Sequence, residues 1–66
     1  MTSSLDIYRT AALLVREYGA QALAIAVKRA HALDNQKDVE GTAVWLGIAN
    51  AIRALNEPSD PNRPKH

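Results

Sequence analysis

The sequence predicts an all-α domain of three helical segments, and three observations carry that expectation. Apolar residues recur at helical spacing through most of the chain, above all from Asp38 to Leu55. Much of the 47% hydrophobic fraction is alanine, the strongest helix former, and phenylalanine is absent. Residues that start or stop helices fall between the periodic runs: Ser3, Gly19, the connector Asn35-Gln36-Lys37 with Asp38 after it, and Pro58.

The first helix is expected over about 5–18. Ser3 with Asp6 three positions on has the form of an N-terminal cap with an acidic first turn, which complements the helix dipole. Ile7, Tyr8, Ala11, Leu14, Val15 and Tyr18 share one face, while Leu13 points away from it. Gly19 then separates two segments whose apolar centres do not line up. The second face, Leu23, Ala26, Val27, Ala30 and Leu33, is rotated by roughly 110° from the first when projected at 100° per residue. A continuous helix would hold its face, so the rotation predicts a break or kink at Gly19, the residue that most readily ends a helix in the left-handed conformation.

The second helix is expected over about 20–34. The connector after it is so short that the flanking helices should be antiparallel neighbours. Asp38 is placed to cap the third helix, about 38–56, with Glu40 in its first turn. Pro58 disfavours helical geometry in Glu57 and ends it. The single domain is therefore 1–57, and PSDPNRPKH, 58–66, reads as a disordered or extended tail.

The third helix has two unlike faces. Gly41, Val44, Trp45, Ile48, Ala51, Ile52 and Leu55 form the bulky one, and Trp45, Ile48, Ile52 and Leu55 are its expected core ladder. The opposite side is a strip of Ala43, Gly47, Asn50 and Ala54 with Leu46 at its edge. A merely solvated face would carry Lys and Glu, whereas small residues at this spacing let another helix approach closely. Ala43, Leu46, Gly47, Asn50 and Ala54 are accordingly the candidate interface. Replacing Gly47 with a bulky residue is expected to leave the helix intact and disrupt association.

Size points the same way. A 66-residue chain makes one marginal domain, because below roughly 70–80 residues a single core seldom supplies more than about 3–5 kcal/mol unaided. There is no cysteine and the only histidines are His31 and His66, which excludes disulfides and thiolate zinc sites. Dimerisation is the remaining economical supplement.

The order Tyr18-Gly19-x-x-Ala22-x-x-x-Ala26 followed by Asp38-x-x-Gly41-x-x-x-Trp45-x-x-Ile48-x-x-Ala51-Ile52-x-x-Leu55 resembles a family of short uncharacterised helical proteins of proteobacteria. The resemblance covers most of residues 5–55 and implies a helical hairpin or bundle. It brings no catalytic or binding residues. Its pattern has a glycine before the capping aspartate, where this chain has Lys37.

Sharper functions find less support. His31, Asp34, Asp38 and Glu40 are the one cluster suited to a divalent metal or to acid–base work, but a solvated helix end with a capping aspartate explains them better, since nothing encloses the site. No catalytic residue, metal or cofactor is expected, and the chain does not read as an enzyme. Net charge is +1 with scattered cations; Lys28, Arg29 and Lys37 are the only local basic group. In a helix-turn-helix reading the third helix would present Asp38 and Glu40 to phosphates, so a regulatory nucleic-acid-binding protein is the second alternative. Arg29 is expected to cover apolar surface with its stem while its head reaches water. No apolar run approaches the ~18–20 residues of a membrane span, and the N-terminus lacks signal-peptide character. The expectation is a cytoplasmic helical interaction module that acts as a homodimer or binds another protein.

Overall fold

The computed structural model describes residues 4–56, and these are helical except for the connector at 36–38. Helix α1 is Ser4–Tyr18, a 3₁₀ turn occupies Gly19–Gln21, α2 is Ala22–Asn35 and α3 is Val39–Asn56. The expected Ser3 cap and the tail at 58–66 lie outside the described residues.

The break at Gly19 is real and has a backbone cause. Gly19 has φ +58, the left-handed conformation that stops α1. The chain then takes one tight turn before α2 starts, two residues later than the expected Ala20. That turn reorients the helix axis and accounts for the rotated apolar face.

The second junction is built differently. Lys37 has φ +64, and around it α2 closes with paired bonds. The Lys37 amide donates to the Asp34 carbonyl at 3.0 Å, and the Asp38 amide donates to the Leu33 carbonyl at 2.9 Å. This is the Schellman arrangement, with lysine where glycine is usual. Asp38 then starts α3 at once. Its Oδ1 accepts the Gly41 amide at 2.9 Å, and its carbonyl accepts the Thr42 amide at 3.0 Å and the Thr42 hydroxyl at 2.7 Å. A Cβ on Gly41 would lie 2.7 Å from Asp38 Oδ2, so the glycine leaves room for the capping carboxylate.

Helix α3 packs against both α2 and α1, which touch each other less. Two neighbours cover a wider arc of α3 than one bulky face, and this corrects the expected core. Ile48 and Ile52 are buried as expected, and Trp45 is half-buried against them. Leu55 is 47% exposed, because it lies in the last turn of α3. Ala49 and Ala51, on either side of the ladder, are buried. Gly47 is also reached from the α1 side: a Cβ there would lie 3.3 Å from Ile7 Cδ1.

The core is thin. Its buried residues are Ala11, Ala22, Ala26, Ala30, Ala49 and Ala51 with Ile48 and Ile52, and Ile52 is the largest side chain fully enclosed. On α2 the closest line of contact is Ala22, Ala26 and Ala30, while Leu23, Val27 and Leu33 are half-buried beside it. An alanine methyl contributes about 0.8 kcal/mol on burial, against about 1.5–3 kcal/mol for a full aliphatic side chain. Much of the bulky apolar surface remains outside: Leu5, Tyr8, Leu13, Tyr18, Val39, Leu46 and Leu55 are all exposed. The outward position of Leu13 agrees with its phase on the first helix. Tyr8 and Tyr18 share the phase of the packed face of α1 but are exposed.

Candidate interaction face on α3

The side of α3 away from the core carries small or aliphatic residues and one asparagine, without charge along most of its length. Ala43, Leu46, Asn50 and Ala54 are exposed on it, and Val39, one turn ahead of Ala43, extends it. Val39 is 80% exposed and Leu46 49%. No charged residue stands between Glu40 and Arg53, the cation of the last turn. Val39 was absent from the expected interface although it shares the phase of the strip. Its position next to the capping residue concealed it.

Gly47 differs from the rest of the strip. It is half-buried and faces Ile7 of the same chain, so its lack of a side chain is explained by the approach of α1. The strip therefore divides into Gly47, which serves the intramolecular contact, and an outer row that stays exposed.

A shallow groove runs along each side of this row. Between α2 and α3, Ala30, His31, Asp34, Thr42 and Leu46 line an open depression of about 200 Å³. Between α1 and α3, Ser4, Ile7, Tyr8, Gly47, Asn50 and Ala51 line another of about 270 Å³. Both have mainly apolar floors and lie open to solvent. Neither encloses a small molecule.

The remaining sequence candidates separate in space or acquire structural roles. His31 and Asp34 line the α2–α3 groove, while Asp38 is committed to capping α3. Among the described residues no group of three or more His, Cys, Asp or Glu side chains is placed to hold a metal ion. The Arg29 guanidinium stands over the Trp45 ring, 5.3 Å from its centroid, instead of simply reaching water. This pairs the main cation of the basic group with an aromatic face of its own chain. No helix among the described residues is long and apolar enough to cross a membrane.

Compared with protein-family models, with curated proteins and with solved structures, the chain shows no match.

Proposed function

We propose that this chain is a helical interaction module that acts as a homodimer, with the outer face of α3 as its contact surface. The observation that carries the reading is the row Val39, Ala43, Leu46, Asn50 and Ala54, exposed and without charge, on a domain whose own core is mostly alanine. Covering this row would add the bulky apolar burial that the monomer lacks. Cytoplasmic location, a non-enzymatic role and kinship with short helical proteins of proteobacteria belong to the same proposal; the last rests on the spacing from Tyr18 to Leu55 alone.

Sedimentation across the micromolar range tests the reading. A reversible monomer–dimer equilibrium is expected, weakened at least tenfold by Leu46→Glu, which puts a charge on an exposed position without touching the core. A folded monomer throughout that range would overturn the proposal.

A further inference from the structure

We infer that the two copies meet antiparallel along α3, about a two-fold axis beside Leu46, with Arg53 of each chain seated at Asp34 of its mate. The inference rests on reading the outer face of α3 as a dimer contact and adds its orientation.

The arrangement follows from where charge and bulk lie on this helix. Glu40 is in the first turn of α3 and Arg53 in the last. The first-turn end also holds Asp34 and Asp38, both exposed, so carboxylates outnumber Lys37 there. A parallel pair in register would gather both Arg53 side chains at one end of the contact and both acidic ends at the other, with no opposite charges brought together. The antiparallel pair brings each Arg53 to the acidic end of the other chain.

Bulk agrees with charge. With the axis beside Leu46, that leucine meets the partner's Leu46 at the centre. Ala43 lies opposite the partner's Asn50, and Val39 lies opposite the turn that carries the partner's Arg53 and the partner's Ala54. Each exposed large residue away from the axis therefore meets a small one or a flexible stem. A two-fold axis lying in the plane of contact also sets each flank of α3 against the same flank of its mate. Arg53 shares the α2-side flank with Thr42 and Leu46 in helical phase. Asp34 lines the same groove as those two residues, so the partner's Arg53 arrives at that carboxylate.

The absence of cysteine makes the orientation directly readable. Chains carrying Ala43→Cys and chains carrying Asn50→Cys are mixed and oxidised mildly; both positions are exposed, so neither change disturbs the core. The two positions are two turns apart, about 10 Å along the axis. A disulfide needs Cα atoms closer than about 7 Å, so only one pairing pattern is open to each orientation. The antiparallel dimer gives the mixed 43–50 disulfide in excess over either self-pair. Excess of 43–43 and 50–50 disulfides would overturn the orientation while leaving the dimer in place. A dimer in sedimentation with no disulfide of either kind would remove α3 as its contact, and a monomer would remove the underlying reading. In a second arm, Arg53→Glu weakens dimerisation about tenfold and adding Asp34→Arg to the same chain restores it. Unchanged affinity in Arg53→Glu would overturn the charged pair.

Discussion

The Arg29 guanidinium lies over the ring of Trp45, joining α2 to α3 outside the alanine-lined contact between them. The contact places a cation of α2 against the only tryptophan, which is itself half-buried against the core. An exposed cation–π pair of this kind contributes about 0.5–1 kcal/mol.

Arg29→Ala should therefore destabilise the domain by about 0.5–1 kcal/mol and shift Trp45 fluorescence to the red as water reaches the ring. Urea denaturation followed at Trp45 measures both. Stability equal to the parent, with an unshifted spectrum, would show that the contact contributes nothing.

The two junctions make a matched pair of backbone tests. Gly19 and Lys37 both occupy the left-handed region, at φ +58 and +64, and nothing lies within 4 Å of a Cβ added to Gly19. Gly19→Ala should cost about 1 kcal/mol with no clash against the rest of the fold, because a Cβ in the left-handed region strains against its own backbone. Lys37→Gly should stabilise by about 0.5–1 kcal/mol, since it relieves the same strain and leaves the Schellman bonds in place. Thermal or chemical denaturation reads the opposite signs.

Asp38 ends one motif and begins the next. Asp38→Ala removes the bond from the Gly41 amide to Oδ1 and should cost about 1 kcal/mol. Asp38→Asn keeps an acceptor oxygen and should retain most of that stability. Circular dichroism during denaturation compares the two; equal losses would mean that charge, rather than the capping bond, stabilises this end of α3.

Gly47 separates the intramolecular role of the small strip from its outer role. With Ile7 Cδ1 3.3 Å from the position of an added Cβ, Gly47→Leu should push α1 off α3 and cost about 1–3 kcal/mol as overpacking. This replaces the expectation that a bulky residue at this site would affect association alone. Combining it with Ile7→Ala should recover part of the loss, and a double-mutant cycle on stability measures the coupling. Strict additivity would show that the two residues do not meet.

Much of this architecture was determined by the sequence alone. Helical phase, the rotation across Gly19 and the capping form of Asp38 are local properties, fixed by backbone geometry within a few residues. They placed three segments, their order and the break.

Only the tertiary structure decided which side of each helix is covered and by what. Helical projection locates a face but not the number of neighbours that share it. Because α3 is packed by both α1 and α2, its buried arc reaches from Gly47 round to Ala49, and Leu55 in the last turn remains outside. Alanine was ambiguous for the same reason: Ala22, Ala26 and Ala30 are buried, whereas Ala43 and Ala54 are exposed, although all five favour helix equally. The difference lies in where a neighbouring helix passes, a long-range fact that no local pattern encodes.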